Sequence, residues 1–244
     1  LRHDARRPYE LRNLTLQLSS HPASDGSATV SSGLTSVSAS VFGPREPRQR
    51  MGGNAGHDRA VITVEVGVAP WAGAREVRRT RGDKRLLEIG AAIRQTFEPV
   101  IMTHLYPRSE ISIHIQVLSA DGGILPTAIN ATTLALIDAG ISLLDYVTSL
   151  SIGLHLTQPL LDLSAPEESD LPNLVIAALP TSGKITLAQM ETRLHVDRFE
   201  EMLVLGVEAC AVIKTEFEAL VKDRTKRVVE RMAAVAIKTA DGSG

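Results

Sequence analysis

Asp121-Gly122-Gly123-Ile124-Leu125-Pro126-Thr127-Ala128 is the stretch on which the fold turns. It joins a strand-like run, residues 111–118 (ISIHIQVL), to a helix-like run from Thr127 to Gly140. A glycine-rich turn that opens a helix is a common seat for phosphate, because free backbone N–H groups and the positive end of the helix dipole point outward there. Here the residues after the glycines are Ile124, Leu125 and Pro126. The first two offer an anion no charge and no hydroxyl, and proline has no N–H. The turn has the form of a phosphate site without its side-chain chemistry.

Working outward, the flanking segments predict alternating layers of strand and helix. Upstream, residues 13–42 carry short apolar alternation through Leu14, Leu16 and Leu18, then Leu34, Val37, Ala39 and Val41, with Asp25-Gly26 read as the hairpin turn. Residues 43–59 form a loop rich in Gly, Pro and Arg, and residues 60–69 alternate as a strand. Asp83 is placed to cap a helix carrying Leu86, Leu87, Ile89, Ile93 and Phe97. Downstream, residues 147–163 give two short strands around Thr157-Gln158-Pro159, residues 164–173 read as an acidic loop, and Leu174–Leu179 pairs with Ile185–Met190 across Thr181-Ser182-Gly183. A long helix opens at Asp197 with Glu200 completing a capping box. The order of strands, helix, strand, helix, strands, helix predicts an α/β (α+β) layered domain with mixed sheets. It reads as one domain over 1–244, with residues 1–12 a basic arm and residues 223–244 a helical extension and tail.

Composition narrows the function. The chain has 244 residues and no run of 18 apolar residues. Its lone cysteine, Cys210, lies in a helical apolar pattern, which reads as core and excludes an internal disulfide or a multi-cysteine zinc site. The seven histidines are scattered, so no metal and no cofactor is expected. The net charge of −2 hides a division: residues 1–94 hold 15 Arg or Lys against 9 Asp or Glu, a balance of +6, whereas residues 95–244 hold 11 against 19, a balance of −8. The basic half fits an anionic partner, with RNA or DNA the commonest. A solvated surface is the plain alternative, and the acidic half fits a basic neighbouring subunit.

Several motifs together resemble the RNase PH-like family over nearly the whole chain: Asp25-Gly26-Ser27-Ala28, Gly43-Pro44-Arg45-Glu46-Pro47, Arg85 through Glu88, Tyr106-Pro107-Arg108, the stretch Asp121 through Gly140, Pro159 to Asp162 and Glu167-Glu168-Ser169. The strongest likeness within the family is to ring subunits of the eukaryotic RNA exosome. The resemblance implies the RNase PH-like fold and a six-membered hetero-oligomeric ring of such subunits. It also implies S1/KH cap subunits, a separate hydrolytic exoribonuclease and single-stranded RNA as partners, with work in the nucleus, nucleolus and cytoplasm. Active relatives release nucleoside diphosphates from the 3′ end of RNA by phosphate attack. Bringing two anions together demands a cationic or hydroxyl-lined pocket.

In active relatives the glycines are followed by Ser or Thr and then Arg; these positions are Ile124 and Leu125 here. An aliphatic residue cannot replace a bidentate guanidinium. The two active-site aspartates of the family fall at Glu168 and Asn173, and Asn173 has no carboxylate. The resemblance therefore implies a degenerate site. By the same resemblance Arg48, Arg50, Lys84 and Arg85 line the mouth of a central channel, where phosphate contacts give sequence-independent, salt-sensitive binding. Arg94 and Arg108 are weaker candidates, and Trp71 fits a neighbouring subunit as well as a base. Three functional readings compete. One is a non-catalytic channel subunit. The second is an active phosphorolytic 3′–5′ exoribonuclease using Glu168 and Asp170. The third is an interaction protein that never touches RNA.

Overall fold

The computed structural model describes residues 2, 4–46, 58–72, 83–190 and 192–241, with side chains as far as residue 233. Nine strands form two sheets among these residues. The first contains β1 (Leu14–Leu18), β2 (Gly26–Ser32), β3 (Thr35–Arg45), β4 (Val61–Val68) and β5 (Glu110–Ser119), in the order β1-β2-β3-β5-β4. All its neighbours are antiparallel except β4 and β5, which run parallel and are joined through helix α1 (Lys84–Phe97). The second contains β6 (Thr148–His155), β7 (Gln158–Leu161), β8 (Asn173–Leu179) and β9 (Lys184–Met190), all antiparallel in the order β7-β6-β8-β9. The mixed α+β architecture agrees with the strand and helix order read from the sequence.

Helix α2 (Ile124–Asp138) joins the layers. It packs on β2 and β3 of the first sheet and on β6 and β8 of the second. Every residue from Pro126 to Leu136 is buried, as expected of a helix that is apolar nearly all round. Its few polar side chains are spent internally. Asn130 donates to Ser149 O at 2.8 Å and accepts from Ser149 N at 2.9 Å, and Thr133 donates to Val147 O at 2.7 Å. On β3, Val37, Ala39 and Val41 are fully buried and alternate with Ser36, Ser38 and Ser40, so one face of the sheet meets α2 and the other is lined with hydroxyls.

The third strand of the first sheet corrects the hairpin reading. Gly26 is not a turn residue but the first residue of β2, and the two-residue turn is Gly33-Leu34, with Leu34 exposed at its tip. Gly26 is required for a different reason: β2 lies so close to the end of α2 that no side chain fits between them. Residues 164–173 are not a loop throughout; they include the short helix α3 (Ala165–Asp170). Helix α2 begins three residues earlier than Thr127, and β3 runs on to Arg45. Helix α4 (Val196–Asp241) spans 46 residues and starts one residue before Asp197, which lies inside the first turn. The segment read as an N-terminal arm is tied down where it is described, because Arg2 and Arg12 are held by the body of the protein.

Cys210 is buried on α4, and its thiol donates to Thr148 O at 3.4 Å. Burial pushes that thiol up to about 12, so it remains protonated and behaves as core. No helix among the described residues is long and apolar enough to cross a membrane.

Two glycine substitutions separate backbone from side-chain crowding. A Cβ at Gly26 would sit 2.2 Å from Ala139 N and 2.5 Å from Ala135 O, and backbone cannot retreat. Gly26→Ala should cost about 3 kcal/mol in urea unfolding. A Cβ at Gly206 meets only the side-chain ends of Ile176 at 2.5 Å and Ile152 at 2.7 Å, which can rotate away. With about 1 kcal/mol gained in helix propensity, Gly206→Ala should stay within about 1 kcal/mol of wild type.

Candidate functional site

The glycine turn between β5 and α2 is built as the sequence suggested, but its surroundings give the glycines another purpose. Gly122 and Gly123 both have left-handed backbones, at φ +76° and +64°, which a side chain would strain. A Cβ on Gly122 would meet Ala165 N and Ser164 C at 2.6 Å, and one on Gly123 would meet Arg12 Nη2 at 2.8 Å. The turn is thus pressed between the start of α3 and the Arg12 guanidinium.

Arg12 forms a buried clamp with Asp162. Its Nη2 lies 2.6 Å and its Nε 3.0 Å from Asp162 Oδ1, while Arg12 N and Ser32 Oγ donate to Asp162 Oδ2 at 2.9 and 3.1 Å. Arg12 Nη1 also donates to Asp121 O at 2.9 Å. Thr35 Oγ1 donates to Gly122 O at 2.7 Å and accepts from Asp121 N at 2.9 Å. The segment before β1, the end of β2, the glycine turn and the residue after β7 are therefore fixed to one another.

Helix α3 supplies the remaining parts. Glu168 Oε2 accepts from Gly123 N at 2.9 Å, so a carboxylate of the protein itself sits at the N-terminal end of α2. Asn173 donates from Nδ2 to Glu168 O at 2.9 Å and so fastens the end of α3 to the start of β8. Ile124 and Leu125 are partly buried and pack on the core. Asp170 is exposed. The structure thus brings Ile124, Leu125, Glu168 and Asn173 together around the turn, and each has a structural contact there. Among the described residues no group of carboxylates, histidines and cysteines is arranged to hold a metal ion.

Beside Glu168, Glu167 turns the other way. Arg2 donates to it from Nε at 2.8 Å and from Nη2 at 2.7 Å, and Ser164 N donates to Oε2 at 3.0 Å. Burial acts to raise the Glu167 carboxyl, but hydrogen bonds from Arg2 and Ser164 and the Arg2 charge outweigh it and hold it below its ordinary value. Sequence reasoning overlooked Arg2, Arg12 and Asp162 as parts of the site. The signal for them is weak, because an arginine in a polar segment reads as surface until its buried partner is seen.

The cationic candidates lie apart from this turn. Arg48 and Arg50 fall outside the described residues. Lys84 and Arg85 form the first turn of α1, and both are exposed. Asp83 caps the helix by accepting from Arg85 N at 3.3 Å. The first turn holds no acidic residue, and among the described residues neither cation has a carboxylate partner. Cations at the positive end of a helix dipole are disfavoured by roughly 0.3–1 kcal/mol each. The Asp83 carboxylate at the cap offsets part of that cost, and both cations stay open to solvent. Arg94, at the other end of α1, sits where the dipole favours it.

Comparison with known proteins agrees with this framework. The chain matches the RNase_PH family, described as the 3′ exoribonuclease family, with its domain 1 over residues 10–142 and its domain 2 over residues 145–230. It is 39% identical over 226 residues to the exosome complex component RRP41 of Homo sapiens, covering 92% of each chain. It is 38% identical over 235 residues to the RRP41 homolog of Arabidopsis thaliana, covering 96% of this chain and 97% of that one. Among solved structures it superposes on rice (Oryza sativa) Rrp46 with a TM-score of 0.81 at 22% identity, covering 91% of this chain and 100% of the other.

Two measurements test the geometry of the site. Asp162→Ala leaves the buried Arg12 charge without its partner and should destabilise the protein by about 3–5 kcal/mol, read from denaturant melts. Because the Glu167 carboxyl is lowered in the folded state, its contribution is present above the ordinary carboxylate range and is lost as pH falls through the lowered value. Glu167→Gln should therefore flatten the acid limb of the stability-against-pH curve while leaving the curve's shape above pH ~6 unchanged.

Proposed function

This chain belongs to the RNase PH-like 3′ exoribonuclease family, and we propose that within it the chain is a ring subunit of a eukaryotic RNA exosome that guides RNA without cutting it. The ring assignment is supported by 39% identity over 92% of the chain to a protein named as an exosome complex component. Its partners are then other RNase PH-like ring subunits, cap subunits of the S1/KH type, a separate hydrolytic 3′–5′ exoribonuclease and single-stranded RNA. The work of such a particle lies in the nucleus, including the nucleolus, and in the cytoplasm.

The observation that carries the non-catalytic part is the contact of Glu168 with Gly123 N at 2.9 Å. An attacking phosphate needs the free N–H groups and positive dipole at the start of α2, and a fixed carboxylate competes for the same field. Ile124 and Leu125 add no donor beside it, and Asn173 supplies no charge for a metal. Phosphorolysis would have to displace one anion to admit another, with no guanidinium to compensate.

The guiding part is supported by Lys84 and Arg85, two exposed cations at the dipole end that repels them. Single-stranded RNA read through its phosphates alone suits a machine that accepts any sequence.

Two experiments test these roles separately. The assembled ring, freed of hydrolytic nuclease and given 3′-tailed RNA with inorganic phosphate, should release no nucleoside diphosphate; phosphate-dependent release of these products overturns the non-catalytic reading. Lys84→Glu with Arg85→Glu should weaken binding of the assembled ring to single-stranded RNA about tenfold or more at low salt and reduce the slope of log affinity against log salt. Unchanged affinity and slope would remove these residues from the RNA route.

A further inference from the structure

Helix α4 is far longer than the surface it covers. Its 46 residues extend about 69 Å. The inner part packs firmly: Met202, Cys210, Ile213 and Phe217 are buried, and Leu220 and Val221 lie partly against the core. Beyond that, among the described residues, one polar contact with the body of the protein remains, from Arg224 Nη2 to Ser19 Oγ at 2.8 Å, beside an ion pair within the helix between Arg227 and Asp223 at 2.6 Å.

The apolar stripe nevertheless continues. At 100° per residue Val228 and Met232 fall on the same side as Phe217 and Val221, with Val229 at its margin. Val229 is 59% exposed and Met232 68%. Arg224, Arg227 and Arg231 follow at helical spacing along one border of the stripe. Residues 222–233 hold five Arg or Lys against two Asp or Glu, a balance of +3 within a half of the chain that is acidic overall. The family match ends at residue 230, in the middle of this stripe.

A helix that packs on nothing is marginal in water, since most helical stability comes from an apolar face being covered. We propose that residues 221–233 are a docking helix, and that its occupant is a protein surface with an apolar groove edged by carboxylates. The apolar residues would fill the groove, and the three arginines would lie along its acidic lip. A second copy of this chain fits poorly, because it would set one +3 surface against another. RNA would satisfy the arginines but offers no helix-wide apolar groove for Val228 and Met232. The inference is independent of the catalytic state of the glycine turn; a phosphorolytically active ring would leave it standing.

The test uses the full-length chain in the assembled, native complex. A photoreactive amino acid replaces Met232, and in a control Glu230, on the opposite side of the helix. The expected result is a crosslink from position 232, not from 230, to a peptide of another protein in which apolar residues alternate with Asp or Glu. Joint Arg224→Glu, Arg227→Glu and Arg231→Glu replacement should lower that yield about tenfold or more, while far-ultraviolet circular dichroism of the isolated chain stays unchanged. No crosslink at 232 above the level at 230 overturns the proposal. So does a crosslink to RNA, to a second copy of this chain, or to a peptide without carboxylates, or a yield indifferent to the charge reversal.

Discussion

The buried pair of Arg12 and Asp162 is the constraint from which the rest of the site follows. Asp162 adopts φ +54°, an unfavourable backbone for an aspartate outside a turn, and it is held there by four donors: two from the guanidinium, Arg12 N and Ser32 Oγ. A carboxylate so deeply enclosed is tolerable only with its charge matched and its lone pairs filled. Once it is fixed, the chain after β7 must start α3 against the glycine turn, and only residues without a Cβ leave room for that approach. The position of Glu168 is then a geometric consequence rather than a separate choice.

The two main helix N-termini of the first layer are each met by a carboxylate of this chain. Helix α2 has its positive end answered by Glu168, carried on α3. Helix α1 is capped by Asp83 immediately before it, and two cations then follow in its first turn. The carboxylate fits the helix dipole in both places, whereas the cations of α1 work against it. The Glu168 contact is partly buried beside the core, where electrostatic contacts are strong. The start of α1 is exposed, where its charges are screened by salt. The two ends therefore differ in burial, not in whether the dipole is met.

Much of this architecture was legible in the residues, and the failures have physical causes. The helix from Asp83, the strand within residues 60–69 and the hairpin of β8 and β9 follow from periodicity and caps, which are local signals, whereas the parallel pairing of β4 with β5 does not. Ile124 and Leu125 lie in the turn, Glu168 bonds to it and Asn173 bonds to Glu168, a grouping that the family resemblance implied and spacing alone did not. What periodicity could not supply was the close approach at Gly26, because a glycine demanded by a neighbouring helix has the same appearance in sequence as one demanded by a turn. Helix α3 was missed because its six residues, four of them polar or acidic, carry no apolar period; its stability comes from Glu167 bonded back to Ser164 N and outward to Arg2, a partner 165 residues away. Arg12 and Asp162 were hidden for the same reason, 150 residues apart and paired only in three dimensions.

The turn itself illustrates why a motif must be argued through its contacts. Two glycines before a helix can serve a ligand by exposing N–H groups, or serve the fold by admitting a neighbour too close for side chains. The backbone angles are the same in both uses, so φ values alone cannot separate them. What separates them is the partner of the first amide, and here that partner is an oxygen of the same chain. A carboxylate carried on a short helix, fastened by Asn173 at one end and flanked by the Arg2 pair at the other, does not move freely in and out of its seat. The same two glycines that could expose a helix end to an outside anion here admit the start of α3 and the Glu168 carboxylate.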